Sequence, residues 1–303
     1  MKYRYYTCDV FTEHRFGGNP LAVLPHADGL SGRQMQQITR EFNYSETAFV
    51  FPPEKGQTRK VRIFTPAREI PFAGHPNVGT AFVLASTGEF GEIQSSHTIT
   101  FEEKAGLVLV SIKAVNGKIT SCELTAPAQL SLEQTIPVAL VAGAVSLAEE
   151  DIVTQAHQPQ VVSVGLPFVI VEVTGLSALE RVGINAKGFE QLRDALPDGN
   201  GQASVYLYAR TTGEVALRAR MLAPLSGVPE DPATGSATCA VAGLLAHLNE
   251  QASGEFTYRI GQGVEMGRPS ILLARAEKAD GVVKATAVGG ACVLVTEGFI
   301  HVD

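Results

Sequence analysis

The 303-residue chain contains no tryptophan, only four cysteines and four methionines, and 18% charged residues. Each shortage excludes something. The cysteines, Cys8, Cys122, Cys239 and Cys292, form no C-x-x-C pair, so neither a zinc knuckle nor a thioredoxin-type redox site is expected. They read as buried thiols of a cytoplasmic protein. Basic residues are outnumbered, 24 Lys plus Arg against 31 Asp plus Glu, giving a formal charge of −7. With no basic block, nucleic acid and anionic membranes are poor partners. No apolar run reaches membrane-spanning length: the most apolar stretch, Val161 to Val173, is broken by Ser163, Gly165 and Pro167. Charges scattered through MKYRYYTCDVFTEHRF argue against a signal peptide.

What is present is ample for folding. Hydrophobic residues make up 45%, enough for real cores, and the length suits two domains. Thirty glycines and sixteen prolines suggest many turns in a β-rich protein. Strands are expected at Thr47–Phe51, Val61–Phe64, Leu107–Ile112, Val161–Val173, Val205–Tyr208, Val282–Val288 and Cys292–Thr296. Ser31 reads as the N-cap of a helix reaching Glu41, with Met35, Ile38 and Phe42 on one face. Pro76–Ser86 and Pro232–Leu248 read as fully buried helices, and part of Thr135–Asp151 as a helix.

An internal repeat organises the chain. His-Pro-Asn-Val-Gly-Thr-Ala at 75–81 matches Asp-Pro-Ala-Thr-Gly-Ser-Ala at 231–237, and the same offset of 156 brings Arg62 onto Arg218. In each copy the proline fits the first helical residue, with His75 or Asp231 at the N-cap. Gly79 and Gly235 would allow close approach of a backbone or a ligand. A helix start offers N–H groups and partial positive charge to a carboxylate or phosphate. Two such ends facing one cleft would suit a small anionic substrate. Asp231 by itself could simply cap its helix, but histidine is a weak cap and titrates near neutrality.

Other templates fail. Gly261, Gly263 and Gly267 miss the dinucleotide spacing, and no P-loop, no nucleophile elbow and no H-E-x-x-H occurs. The seven histidines form no ligand cluster, so neither metal nor cofactor is expected.

The motifs G-N-P-L-A-V at 18–23, S-E-T-A-F at 45–49 and R-I-F-T-P-A-R-E-I-P-F-A-G-H-P at 62–76 follow one another along the first half. E-D-P-A-T-G-S-A at 230–237 and the G-Q-G-x-x-M-G-R-P-S run at 261–270 follow in the second. In this order they resemble the PhzF-like (phenazine biosynthesis-like) family, which shares the fold of diaminopimelate epimerase. The resemblance implies an α+β fold of two similar, pseudo-symmetric domains, each a β-barrel-like sheet around a central helix. The expected domains are residues 1–125 with 288–303, and residues 126–287. It also implies a homodimer.

The family's functional positions fall on Glu46, His75 and Asp231. Glu46 would be the general acid/base, its pKa raised by burial and by a nearby carboxylate such as Asp231. His75 would donate a hydrogen bond or relay a proton. Ser45, Gly74, Gly235 and Ser236 would bind a substrate carboxylate. Diaminopimelate epimerase has a cysteine at each helix start, whereas this chain has Gly-His-Pro and Asp-Pro. Cys239 lies eight residues beyond Asp231 and reads as a core thiol. A proton shift on one face of a small carboxylate therefore suits these residues better than two-thiol racemisation. The alternatives are an epimerase using Glu46 with His75 or Asp231 as opposed bases, or a binding protein without catalysis. Arg268 fits either a turn or an anion contact.

Overall fold

The computed structural model describes residues 1–196 and 203–303. It divides into two compact units, Met1–Pro127 with Gly289–Asp303, and Ala128–Val288.

In the first unit the strands are β1 (Lys2–Val10), β2 (Asn19–Leu24), β3 (Glu46–Phe51), β4 (Arg59–Phe64), β5 (Glu69–Ile70), β6 (Ser96–Glu103), β7 (Gly106–Val115) and β8 (Lys118–Thr125). Helix α1 (Gly32–Phe42) links β2 to β3, and α2 (Gly74–Ser86) links β5 to β6. Strand β1 pairs antiparallel with β2, and β2 runs parallel to β3. Strand β4 is antiparallel to β3 and to β5, and parallel to β6. Hairpins then join β6 to β7 and β7 to β8.

Helix α1 forms because its ends are specified. Ser31 and Gln34 make a reciprocal capping box, and Asn43 closes the C-terminus in the left-handed region with φ 53°. Met35 and Ile38 bury one face against Leu24, Phe49 and Phe64. That left-handed residue also turns the chain into β3, so the closing of α1 delivers Ser45 and Glu46. Helix α2 has no exposed face: residues from Gly74 through Ala85 are all buried. A Cβ at Gly79 would lie 2.6 Å from a Leu21 methyl and 2.7 Å from one of Val10, so this glycine sets how closely α2 lies on β1 and β2.

In the second unit the strands are β9 (Ser131–Thr135), β10 (Ile152–Val153), β11 (Gln160–Ser163), β12 (Pro167–Val173), β13 (Val205–Arg210), β14 (Leu217–Ala223), β15 (Val228–Asp231), β16 (Gly254–Gln262), β17 (Ser270–Ala279) and β18 (Val282–Gly290), the last crossing the unit boundary. The helices are α3 (Val138–Val145), α4 (Leu176–Arg181), α5 (Ala186–Asp194) and α6 (Gly235–Leu248). The pairing pattern of the first unit occurs again. Strand β11 is antiparallel to β12, which is parallel to β13. Strand β14 is antiparallel to β13 and β15, and parallel to β16, which is antiparallel to β17. Helix α6 stands between β15 and β16 as α2 stands between β5 and β6. The last strand, β19 (Cys292–His301), pairs antiparallel with β1.

Two sequence expectations need correction. The run Val161–Val173 is not one strand but the hairpin β11–β12, reversed at Val164–Leu166 with Gly165 at φ 132°. Both arms are largely buried, so hydrophobicity does not dip enough to reveal the reversal. The helix starts also differ. Helix α2 begins at Gly74 with Ala73 as N-cap, making His75 its second residue and Pro76 its third. Helix α6 begins only at Gly235 with Thr234 as N-cap, so Asp231 ends β15 and Pro232 lies before the helix. Proline is tolerated throughout a first turn, because the N–H it lacks would have no intrahelical partner there. Its position therefore does not fix the first residue.

Candidate functional site

In the first unit four polar side chains from three segments meet at the start of α2. Asn19 opens β2, Ser45 precedes β3, Glu46 opens β3, and His75 sits in the first turn of α2. The parallel pairing of β2 with β3 sets Leu21 beside Glu46. Gly18, at φ 60°, precedes Asn19, and a Cβ there would lie 2.3 Å from the Val10 carbonyl oxygen. Only glycine allows the chain to enter β2 this way.

His75 is 4% exposed and Asn19 is wholly buried. The Ser45 hydroxyl donates to Asn19 Oδ1 at 3.2 Å, and Asn19 Nδ2 lies 3.3 Å from His75 Nδ1. His75 Nε2 stands 3.6 Å from Glu46 Oε2. Burial pushes the imidazole down to about 3, and the Pro20 carbonyl facing the ring offsets this only in part. The ring is therefore neutral near pH 7, contrary to the expectation of a group titrating there. The α2 N-cap, Ala73, supplies no side-chain hydrogen bond, and the first turn holds no acidic residue. That start keeps its backbone N–H groups without a side-chain cap, including that of Gly74. Asn77 Nδ2 instead donates backward to the Ala73 carbonyl at 2.9 Å.

In the second unit Asp231 is buried and accepts from the Thr234 hydroxyl at 2.5 Å. Gln262 closes this loop: Oε1 accepts from the Thr234 N–H at 3.1 Å, and Nε2 donates to the Asp231 carbonyl at 2.8 Å. The next residue, Gly263, has φ 74°, and a Cβ there would lie 2.5 Å from the Pro232 carbonyl oxygen. Gly235 and Ser236 form the first turn of α6, Gly235 buried and Ser236 partly exposed. Arg268 lies in the turn that follows, its N–H bonded to the Gly263 carbonyl at 3.0 Å.

Of the residues expected from sequence, Ser45, Glu46, Gly74 and His75 belong to the first unit, and Asp231, Gly235 and Ser236 to the second. Sequence alone does not mark Asn19 and Gln262 as site residues. Their only signal was membership of the G-N-P-L-A-V and G-Q-G segments. A separate cavity of about 460 Å³ in the first unit is lined by Arg62, Glu69, Glu103 and Lys104 among others, and by none of the four polar residues above. Both Glu103 carboxyl oxygens are buried, and burial pushes that group up to about 8, a nearby Asn77 opposing this weakly. Among the described residues no group of three or more His, Cys, Asp or Glu could hold a metal ion. Cys8, Cys122 and Cys239 are buried and Cys292 partly so, all four as free thiols. No described helix is long and apolar enough to cross a membrane.

Comparisons agree over the whole length. Residues 8–298 match the family model described as phenazine biosynthesis-like protein. The chain is 37% identical to an uncharacterised isomerase of Mesorhizobium japonicum, over 98% of each chain. It is 35% identical to trans-2,3-dihydro-3-hydroxyanthranilate isomerase of Pseudomonas aeruginosa, again over 98% of each. A Bacillus anthracis phenazine biosynthesis protein of the PhzF family superposes with a TM-score of 0.88 at 24% identity, covering 100% of both chains. A hydroxyproline epimerase from Agrobacterium vitis shares the fold at a TM-score of 0.63 and 13% identity, covering 99% of this chain and 91% of its own. Motif order, α+β topology and full-length similarity thus agree, and the chain is an isomerase belonging to the PhzF family of phenazine biosynthesis-like proteins.

Proposed function

We propose that this isomerase shifts a proton between carbon atoms of a small carboxylate-bearing substrate, with Glu46 as the general acid/base. The observation that carries the reading is the Glu46 carboxyl beside a buried, neutral His75 at an uncapped helix start. A carboxylate takes a proton from carbon when its own environment is preorganised and poorly hydrated. A neutral imidazole can donate to the carboxylate without neutralising it. The N–H groups at the start of α2, Gly74 first, suit the substrate's carboxylate, with the Ser45 hydroxyl close by.

The second unit has its own helix start, where Gly235 and Ser236 are assigned to carboxylate binding and Asp231 to proton handling. The reaction needs no metal or organic cofactor in this reading. A cytoplasmic homodimer completes it, and sedimentation checks the dimer.

The first substrate to try is trans-2,3-dihydro-3-hydroxyanthranilate, on which named relatives act, followed by other cyclic hydroxy and amino carboxylates. Turnover in deuterated water should place deuterium at carbon. Glu46→Gln keeps the shape but carries no proton, so turnover should fall by about 10²–10⁴-fold while the substrate still binds. Turnover within a few-fold of wild type would remove Glu46 from the role.

A further inference from the structure

We propose that Asn19 is a positioning residue that fixes which ring nitrogen of His75 carries the proton, and so what the ring presents to Glu46. Ser45 donates its hydroxyl proton to Asn19 Oδ1 at 3.2 Å. That engages the amide oxygen and turns the amide nitrogen toward His75 Nδ1, 3.3 Å away. An amide nitrogen only donates, so a hydrogen bond from Asn19 requires the lone pair of Nδ1. In a neutral ring the proton then sits on Nε2, the atom 3.6 Å from Glu46 Oε2. Hydroxyl, amide and imidazole then point their donors one way, toward the carboxyl of Glu46, which at 3.6 Å stands just beyond hydrogen-bond reach of Nε2. The Pro20 carbonyl also faces the ring and can only accept, so it competes for a ring proton. Among the described residues Nε2 has no hydrogen-bond partner, so the carbonyl and the Asn19 amide compete at Nδ1, and the tautomer reports which one the ring answers.

The arrangement has a chemical consequence. With Nε2 already protonated, His75 cannot take a proton from Glu46 without becoming charged in a buried site. A proton removed from substrate carbon stays on Glu46 until it returns to carbon. His75 then presents an N–H toward the carboxylate and is not a second proton carrier.

The inference rests on the assignment of Glu46 and His75 made above, but its main test reads the ring directly. In protein labelled with ¹⁵N at histidine, long-range proton–nitrogen spectra distinguish the two tautomers. Wild type should show the proton of His75 on Nε2. Asn19→Asp has nearly the same shape, but as a carboxylate its side chain only accepts, so the proton should move to Nδ1. Turnover should then fall by roughly tenfold or more with KM little changed, since an imidazole in the wrong tautomer keeps its place but loses its role. If Asn19→Asp does not fold, Asn19→Ser supplies a smaller group that can donate or accept, and a mixture of tautomers is expected. A wild-type ring protonated on Nδ1, or a tautomer unchanged in Asn19→Asp, would overturn the proposal. Full turnover in Glu46→Gln would instead overturn the catalytic assignment and leave the tautomer as measured.

Discussion

The two buried helices occupy the same place in the same order of strands, yet they begin differently. Helix α2 takes in its Gly-His-Pro segment, so His75 becomes part of the first turn and packs against Asn19. Helix α6 leaves its Asp-Pro segment outside, and Asp231 stays in β15, bonded to Thr234 and braced by Gln262. The first arrangement gives a neutral donor beside a carboxyl group. The second gives a carboxylate in a closed hydrogen-bonded loop. Similar sequence at matching positions thus does not mean similar chemistry, because a shift of the helix start moves a side chain from one environment to another.

The largest expected effect separates the two starts. Glu46→Gln should cost turnover by about 10²–10⁴-fold, whereas Asp231→Asn, which can still accept from Thr234, should cost less. Steady-state rates on one substrate decide this, and equal losses would erase the functional contrast.

Next come the glycines that shape each entrance. Gly18→Ala and Gly263→Ala each force a Cβ against a backbone oxygen at positive φ, and each should destabilise by more than about 1 kcal/mol. Denaturant melts measure the loss. Gly18→Ala should also lower turnover more than an equally destabilising change elsewhere, because it displaces Asn19. Equal turnover at equal stability would detach Asn19 from the reaction.

The titrating groups of the first unit give a pH signature. The folded-state value of Glu103 lies above its unfolded one, so its contribution is fully present below about pH 4.5 and is lost as pH rises to about 8. Glu103→Gln should remove that loss, on the order of a few kcal/mol between those limits. His75 works in the opposite direction. Its folded value is lowered to about 3, so its contribution is present above about pH 6.5 and is lost as pH falls toward 3. Denaturation of wild type, Glu103→Gln and His75→Asn across pH resolves the two. A stability slope unchanged in Glu103→Gln would show that the carboxyl ionises without cost. The smallest effect is at α1, where Ser31→Ala removes half of a capping box and should cost about 1 kcal/mol.

Local signals were legible in sequence where the physics is local. Ser31 and the apolar face of α1 could be read because capping and 3.6-residue periodicity act within a few turns. Strands β3 and β4 could be read from their β-branched and aromatic runs. The hairpin β11–β12 could not, because burial of both arms hides the reversal. Asn19 was invisible as a site residue for another reason. It lies 26 residues from Ser45 and 56 from His75 in sequence, and only the β2–β3 pairing and the packing of α2 bring the three together. The neutral state of His75 likewise follows from burial, which a motif does not record.

The return of β19 to β1 has a consequence for the order in which the protein assembles. Lys2 pairs with His301, so the two halves of this ladder are almost a whole chain apart. Every strand from β9 to β17 lies between them and belongs to the second unit. Distant partners pay more loop-closure entropy, and a ribosome releases the earlier one long before the later. The second unit can therefore close while β1 still has one bare edge. That edge is shielded only when β19 arrives, and until then it is open to pairing with another nascent chain. Pulse-labelled exchange during refolding should show β13 amides protected before those of β19, and simultaneous protection would mean that the two units fold as one.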